Sequence, residues 1–324
     1  MLKLGHISLG VPFFQASLSG YSDYAMRRLA LDFGAPLTFA GVILAKSAAH
    51  PGVVEKPKFK PRDDEHPVGA QILGTEPQVM ARAAKELVNV GYDLIDLNFA
   101  CPAPKVLRRG RGGYLLKEPE KVMAIFRCVR EAVDCPVLMK LRIGFDKSEQ
   151  SRENFLEIVS EASAAGVDAL IIHGRSVQQR FGCVADWQFL SGLKRQFPKV
   201  TIIGGGDLFD AKAIVGRMNS AGVDGVVIAR GAVGNPWIFR HLRAVFDGDG
   251  PLEPPGLEEQ GQVILRHFEL VRGLYEAKKA VRYFRKFIVG YCKIHPERKR
   301  AQQGLLAAND RKELLAAVKK WYPA

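Results

Sequence analysis

The chain has 324 residues, of which 47% are hydrophobic and 25% are charged. This length suits one large domain with a smaller one beside it, and the composition is that of an ordinary globular protein. No apolar stretch approaches the roughly 20 residues that a membrane helix needs, and the first residues lack the pattern of a signal peptide. We therefore expect a cytoplasmic protein that does not contact a membrane.

The cysteines and histidines are scattered along the chain. The five cysteines form no CxxC pair, and no two of the seven histidines lie three or four positions apart. An odd number of dispersed cysteines argues against a disulfide framework, and the histidine spacing argues against a helical zinc site. The sequence predicts free thiols in a reducing compartment and no bound metal.

The formal net charge is +13, and much of the excess lies near the C-terminus. Residues 257–324 contain 15 Lys and Arg against 7 Asp and Glu, which gives this segment a net charge of +8. A basic segment of this kind is typical of proteins that bind nucleic acid. A solvated, charge-rich helical surface is the alternative explanation.

From residue 11 to residue 246, short apolar runs alternate with longer amphipathic segments. Continuous apolar runs are typical of parallel strands that helices cover on both faces. Strands are predicted at residues 11–16, 37–42, 68–72, 94–98, 137–141, 169–173, 201–204 and 225–228. Helices are predicted at 76–90, 119–133, 154–165 and 210–221, and several of them end at a glycine, as helix C-caps do.

Eight strand–helix units within residues 11–246 match the size of an α/β (β/α)8 TIM barrel. A doubly wound sheet is the main alternative, but no G-x-G-x-x-G opens a helix. Residues 247–256 (DGDGPLEPPG) have the composition of a linker, and helical patterns follow them. We predict a barrel over residues 1–246, a linker over 247–256 and a small C-terminal helical domain over 257–324.

Polar side chains end the predicted strands on the side where a TIM barrel places its active site. Gln71 ends the third strand and Asn98 ends the fourth. The fifth strand ends with Lys140 and Arg142, and the sixth with His173 and Arg175. Glycine-rich turns follow the seventh and eighth strands, where barrels commonly hold a phosphate on backbone N–H groups: Gly204-Gly205-Gly206-Asp207 and Ala229-Arg230-Gly231.

One of these positions, Lys140, and a nearby cysteine, Cys101, suggest particular chemistry. Lys140 would place a cation near the middle of the barrel mouth, where it could stabilise a reduced flavin ring. A lysine that merely extends from the barrel top is the alternative. Cys101 lies in a loop just past the fourth strand and is followed by several basic residues, which favour use of a thiol as an acid or nucleophile.

Taken in order, these residues resemble the tRNA-dihydrouridine synthase family, of bacterial type, over nearly the whole chain. The most specific stretch is NFACPAPKV at residues 98–106, which is similar to the family's N-x-G-C-P-x-x-K-V loop. The supporting matches are Gln71-Ile72-Leu73-Gly74, Lys140-Leu141-Arg142, Ile172-His173-Gly174-Arg175, Asn235-Pro236-Trp237-Ile238-Phe239, and Phe284-Arg285-Lys286-Phe287 with Tyr291.

The resemblance implies that FMN binds in the barrel mouth and that NADPH reduces it. Hydride then passes to C6 of a flipped-out uridine in tRNA or another structured RNA, and Cys101 protonates C5 to give 5,6-dihydrouridine. A monomer is expected. The implied catalytic residues are Cys101, His173, Arg142 and Asn98. The implied cofactor-binding residues are Ser17, Leu18, Ser19, Gln71, Lys140, His173, Gly205, Gly206, Asp207, Ala229 and Arg230. The implied RNA-binding residues are Lys105, Arg108, Arg175, Arg282, Arg285 and Lys286.

Several positions in the expected flavin shell depart from the family pattern. The family's P-M-x-G after the first strand is Ser17-Leu18-Ser19-Gly20 here, and its T/S-E after the second strand is Ala40-Gly41. Its A-N-G-D is Gly204-Gly205-Gly206-Asp207, its G-C-P is Ala100-Cys101-Pro102, and its G-R after the eighth strand is Ala229-Arg230. Two other functions therefore stay open from the sequence. One is an FMN barrel oxidoreductase that acts on a small pyrimidine or enone. The other is a relative that binds RNA or flavin without catalysis.

Overall fold

A computed structural model describes residues 1–56, 59–250 and 252–323 of the chain. Within these residues, parallel strands form a barrel that helices cover on the outside. The strands are β1 (Leu2–Leu4), β2 (Ile7–Leu9), β3 (Phe13–Gln15), β4 (Thr38–Phe39), β5 (Ile43–Leu44), β6 (Val68–Leu73), β7 (Leu94–Asn98), β8 (Val137–Arg142), β9 (Ala169–His173), β10 (Ile202–Gly205) and β11 (Gly225–Ile228).

The helices lie between the barrel strands and continue past the last one. They are α1 (Tyr24–Asp32), α2 (Ala45–Ala48), α3 (Pro51–Val54), α4 (Pro77–Asn89), α5 (Pro104–Leu107), α6 (Pro119–Ala132), α7 (Glu149–Ala164), α8 (Trp187–Gln196), α9 (Ala211–Ala221), α10 (Trp237–Asp247), α11 (Leu257–Arg272), α12 (Ala277–Tyr291), α13 (Arg298–Ala307) and α14 (Arg311–Trp321). None of the described helices is both long enough and apolar enough to span a bilayer.

The strand order closes the sheet on itself. Strands β6 to β11 pair with their sequence neighbours, β4 and β5 both pair with β6, and β11 pairs in parallel with β3. A backbone hydrogen bond from Gln15 N to Leu37 O, 3.1 Å long, joins the first barrel strand to the residue before β4. Pairing of the last strand with the first confirms the TIM barrel and rules out the doubly wound sheet, whose edges stay open.

The second barrel strand differs from its prediction. The run expected at residues 37–42 is split into β4 and β5, which both pair with β6. The N–H of Gly41, between them, donates to the carbonyl of Ser22 at 3.0 Å and so leaves the sheet. Other boundaries are close to the predictions, except that α7 begins earlier than expected, after Ser148, whose side chain caps it.

Side chains alternate between two cores along each strand. Residues that point outward pack against the helices in the larger core, whereas residues that point inward fill the barrel. Phe14, Leu94 and Leu138 are fully buried members of the inner core. The antiparallel hairpin of β1 and β2, which the sequence analysis missed, supplies Leu2, Leu4 and Leu9 to the same core. The lower part of the barrel is therefore filled with apolar side chains.

Helices α11 and α12 pack against the barrel, and α13 and α14 pack on these two helices. Glu259 on α11 accepts a hydrogen bond from the Trp237 indole at 2.9 Å and forms an ion pair with Arg240 at 2.6 Å. Backbones meet where α12 passes the loop before α10, since a Cβ at Gly290 would overlap the Val233 carbonyl. Residues 248–250 and 252–256 connect the two parts without regular structure. The proposed domain boundary itself stays a prediction.

Candidate active site

The inward-facing side chains change from apolar to polar toward the C-terminal ends of the strands. Along β7, Leu94 is followed on the same face by Asp96 and Asn98, and β8 continues from Leu138 to Lys140 and Arg142. Strand register places Asn98 beside Lys140, and Arg142 beside the last residue of β9. The polar residues predicted at separate strand ends therefore meet in one place.

They surround a cavity of about 280 Å³ at the barrel mouth. Most of the sequence-predicted catalytic and cofactor-binding residues line it. These are Ser17, Leu18, Ser19, Gln71, Asn98, Cys101, Lys140, Arg142, His173, Gly206, Asp207, Ala229 and Arg230. Gly205 is buried just below, as the final residue of β10, and is not part of the lining.

Asn98 holds the Cys101 loop against the cavity. Its Oδ1 accepts hydrogen bonds from the backbone N–H groups of Ala100 at 3.1 Å and Cys101 at 3.0 Å. The Cys101 carbonyl in turn accepts from the N–H of Gly113 at 3.1 Å. Cys101 is partly exposed and lines the cavity, whereas Cys292 is buried elsewhere. A fixed backbone on both sides of Cys101 presents its thiol to whatever occupies the mouth.

Arg142 ties two loops together over the site. Its Nε donates to the Ala100 carbonyl at 2.9 Å, and its Nη1 donates to the carbonyls of Ser176 and Arg180, each at 2.9 Å. Burial, together with the nearby Arg175, lowers the pKa of Arg142 to about 10, so it stays cationic at neutral pH. Arg142 thus links the cysteine loop to the loop after β9.

His173 is neutral under physiological conditions. Burial, and then the positive charges of Arg142 and Lys140, lower its pKa to about 3. Its Nδ1 is buried and has no hydrogen-bond partner among the described residues. The ring lies edge-on to Phe181, with 6.3 Å between the centroids. A neutral imidazole of this kind can donate or accept a hydrogen bond but cannot act as a cationic acid.

The buried carboxylate of Asp96 lies below the cavity, and the sequence analysis missed it. Asp96 is 1% exposed, and its Oδ2 accepts a hydrogen bond from Gln71 Nε2 at 2.5 Å. Burial raises the pKa of Asp96 to about 7 against the opposing effect of Lys140. Burial lowers the pKa of Lys140, and Asp96 opposes that shift. The signal was present in the sequence, because Asp96 precedes Asn98 by two residues and so shares its face.

Asp207 receives most of its contacts from behind the cavity. Arg175 donates to both of its carboxylate oxygens, at 2.8 and 2.6 Å, and the N–H of Ala185 donates at 2.8 Å. These contacts hold Asp207 at a φ of +54°, in the left-handed region. Arg175 is 3% exposed and also binds the Cys183 carbonyl. Only the resemblance assigns Arg175 to RNA. In the structure its side chain is buried and holds the Asp207 carboxylate in place.

Two aromatic side chains that the sequence analysis did not consider cover the mouth. Phe181 and Phe209 line the cavity, and their side chains are 51% and 44% exposed. The guanidinium of Arg230 lies 4.1 Å from the Phe181 ring centroid and 5.6 Å from that of Phe209. Exposed rings with a nearby cation suit stacking against a planar ligand. Phe181 escaped notice because it belongs to a long loop with no repeating pattern.

Comparison with known proteins identifies the family. The sequence pattern that defines the family described as dihydrouridine synthase matches residues 14–322. The chain is 32% identical to tRNA-dihydrouridine synthase B of Pasteurella multocida, over 99% of this chain and 96% of that protein. It is 31% identical to a probable tRNA-dihydrouridine synthase of Rickettsia conorii, over 90% and 87% of the two chains. The chain belongs to the dihydrouridine synthase family.

Solved structures with low sequence identity share the barrel. A 2-naphthoyl-CoA reductase complex superposes with a TM-score of 0.56 at 12% identity, over 73% of this chain and 50% of that one. Histamine dehydrogenase from Rhizobium sp. 4-9 gives a TM-score of 0.57 at 13% identity, over 83% and 51%. This dihydrouridine synthase family member spans about half the length of those chains. At such identities the likeness concerns the fold alone.

The residues that the family resemblance assigns to RNA occupy different surroundings in this dihydrouridine synthase family member. Lys105, Arg108 and Arg282 are exposed. Arg285 is half-buried and donates to the Ala308 carbonyl at 2.9 Å. Lys286 donates to the Gly20 carbonyl, in the loop after the first barrel strand. The first three are free to contact a large ligand, whereas the last two also have partners within the protein.

Proposed function

We propose that this protein reduces uridine to 5,6-dihydrouridine in tRNA, with FMN in the barrel mouth and NADPH as the reductant, in the cytoplasm. The observation that carries this proposal is the position of Cys101. Its loop, which matches the family's cysteine loop, is held by Asn98 at the edge of a cavity whose floor contains Lys140. A proton donor beside a fixed cation is what reduction of a conjugated C5=C6 bond needs.

The residues of the cavity fit a flavin. Ser17 Oγ and His173 Nδ1 are buried without hydrogen-bond partners among the described residues, so each can bind a polar atom of a ligand. Gly206, which lines the cavity, has a φ of +120°, and a Cβ there would lie 2.6 Å from Ala185 Cβ, so this turn requires a glycine. Ser17, Gln71, Lys140, Gly206 and Arg230 would hold the cofactor. When bound, FMN supplies the hydride that C6 of the uracil ring receives.

Cys101 supplies the proton in this proposal. Addition of hydride at C6 leaves negative charge conjugated with the C4 carbonyl, and the S–H bond of Cys101 breaks as the C5–H bond forms. His173 is a poor alternative, because its pKa near 3 means that the imidazole is neutral at neutral pH and has no acidic imidazolium proton to give. Arg142 stays cationic and joins the Cys101 loop to the loop after β9, which keeps the thiol on one side of the cavity.

The C-terminal helices bind the RNA in this proposal. Residues 257–324 have a net charge of +8, which suits a polyanion. The uridine must leave its stack to reach a cavity at the barrel mouth, so the surrounding RNA needs a separate grip. Exposed basic residues beside the cysteine loop, Lys105 and Arg108, can contact the same RNA.

Two measurements on the purified protein test this function. The first is the absorption spectrum, which should show a non-covalently bound flavin that NADPH bleaches. The second is mass spectrometry of tRNA lacking dihydrouridine, in which a uridine should gain two hydrogen atoms while free uridine reacts far more slowly. Equal turnover of free uridine would instead identify an enzyme of small pyrimidines. RNA binding without flavin would identify a non-catalytic relative.

A further inference from the structure

Asp96 is buried where a carboxylate is costly. It lies in the middle of β7, pairs in register with Gln71 on one side and Leu138 on the other, and faces the barrel interior. A carboxylate in such surroundings loses its hydration, and proteins keep one only where a cation or hydrogen bonds compensate. The cation and the hydrogen-bond donor that compensate for the burial of Asp96 therefore indicate what Asp96 does.

The opposite charge comes from Lys140. Lys140 lowers the pKa of Asp96, and Asp96 raises the pKa of Lys140, in each case against the larger effect of burial. The other charged or titratable groups that act on Lys140 are Arg142 on its own strand and Cys101 in the loop after β7, while His173 on β9 is in turn affected by Lys140. Asp96 and Lys140 lie on neighbouring paired strands, one register step apart, because Asp96 is opposite Leu138 and Asn98 is opposite Lys140. Both side chains lie on the inward face, so Asp96 supplies a negative charge that favours a charged Lys140 at the cavity.

The hydrogen bonds lead from Asp96 to the cysteine loop. Gln71 donates from Nε2 to Asp96 and accepts, through Oε1, a hydrogen bond of 2.6 Å from Asn98 Nδ2. Asn98 Oδ1 then accepts from the backbone N–H of Cys101 at 3.0 Å. Because Asp96 Oδ2 accepts from Gln71 Nε2, the Gln71 amide turns its Oε1 toward Asn98, and this oxygen in turn fixes the Asn98 amide. The backbone N–H of Cys101 also requires that Asn98 turn its Oδ1 toward it. The hydrogen bonds at both ends therefore select the same orientation of the Asn98 amide.

We infer that Asp96 is a positioning residue that acts on both halves of the site: its charge keeps Lys140 cationic in the cavity lining, where it would face the cofactor, and its hydrogen bond orients Gln71 and Asn98 to hold the Cys101 loop. This inference rests on the proposed function, which gives Lys140 and Cys101 their tasks. It assigns a role to a residue inside the strand, below the residues that touch ligands.

The test compares Asp96→Asn with Asp310→Asn in the full-length protein, with flavin bound and after flavin removal. Asp310 is an exposed helix N-cap, where asparagine caps as well as aspartate, so the control removes the same charge far from the site. The pH dependence of Lys140 acylation by acetic anhydride, read by mass spectrometry, reports the charge of Lys140 without any RNA reaction. The rate of Cys101 alkylation by iodoacetamide, relative to Cys183, reports the loop.

In Asp96→Asn, Lys140 acylation should begin at a lower pH, because burial is no longer opposed by an anion. The rate of reduction of bound FMN by NADPH should decrease as the pH rises, and in the variant this decrease should begin at a lower pH than in the wild type. Cys101 alkylation should change severalfold. Asp96→Glu, which keeps the charge but moves it, should retain the Lys140 profile and change only the Cys101 rate, and it serves if the asparagine variant does not fold. Unchanged Lys140 and Cys101 profiles in a folded variant would overturn the inference, whether or not tRNA is reduced.

Discussion

Lys286 on α12 donates a hydrogen bond to the carbonyl of Gly20, in the loop that follows the first barrel strand. The Tyr283 hydroxyl donates to the same carbonyl at 3.2 Å, and the Lys286 ammonium lies 3.0 Å from the centroid of the Tyr283 ring. This loop contains Ser17, which lines the cavity. The C-terminal helices therefore support one wall of the candidate active site.

Replacement of Lys286 should consequently weaken the cofactor site. Lys286→Met removes one of the two donors to the Gly20 carbonyl. We expect bound FMN to dissociate roughly three- to tenfold faster, which corresponds to about 1 kcal/mol, the usual net contribution of one hydrogen bond. Stopped-flow fluorescence of released flavin measures the rate. Arg282→Met is the matched control, because Arg282 is an exposed cation on the same helix. Equal rates for the two variants would contradict the structural link.

The proton donor can be tested at Cys101. Cys101→Ala should leave folding, FMN content and reduction by NADPH near the wild-type level, because the thiol acts after hydride transfer. Dihydrouridine formation should fall by a factor on the order of 100 or more, the usual contribution of a positioned acid. Cys128→Ala and Cys183→Ala serve as controls. Full activity of Cys101→Ala, measured by mass spectrometry of the RNA, would remove the thiol from the mechanism.

Binding of RNA by the C-terminal helices should depend on salt. Arg282, Arg298 and Lys299 are exposed, and neutralising all three to Gln should weaken binding to tRNA without regard to sequence. Each phosphate contact that is lost should reduce the slope of log K against log salt by about 0.7 to 0.9. Flavin content should not change, because none of the three contacts the loop at Gly20. A slope equal to that of the wild type would place the RNA elsewhere.

His267 should make the C-terminal helices sensitive to acid. It is 1% exposed, its Nδ1 lies 2.8 Å from the Tyr291 hydroxyl, and burial lowers its pKa to about 3. In the unfolded chain His267 binds a proton below its ordinary pKa near 6.5, whereas in the folded protein it stays neutral down to about pH 3. The free energy of unfolding therefore falls as the pH falls from about 6.5 to about 3. The loss at pH 5 should be about 2 kcal/mol.

Urea unfolding of the wild type and of His267→Gln at pH 8 and pH 5 measures this effect. The glutamine variant has no titrating imidazole, so its stability should fall less between the two pH values. His173 has a similarly low pKa and contributes equally to both proteins, so it cancels in the comparison. An identical pH dependence in the two proteins would show that His267 accepts its proton without unfolding.

The sequence predicted the barrel well because its strands are buried on both faces and read as continuous apolar runs. It also predicted most of the cavity lining, since parallel strands bring their C-terminal ends together. The hairpin of β1 and β2 was missed because each strand has three residues, too few for a pattern. Asp96 was missed because only strand ends were considered. The ion pair of Arg175 with Asp207 spans 32 positions along the chain, and no local pattern indicates such a partner.

The contact of Gly290 with the Val233 carbonyl leaves no room for a side chain between α12 and the barrel. A second glycine, Gly234, faces the same helix from the barrel side. Because the contact there is between two backbones, a change of side-chain rotamer cannot let α12 slide along the barrel at this point. These backbone contacts favour a single position of α12 on the barrel, and so a single distance from its exposed cation Arg282 to the cavity. An RNA bound to α12 can then place in the cavity only a nucleotide that lies at this distance from the bound phosphates. The three-dimensional shape of the RNA, more than its sequence, therefore decides which uridine is reduced.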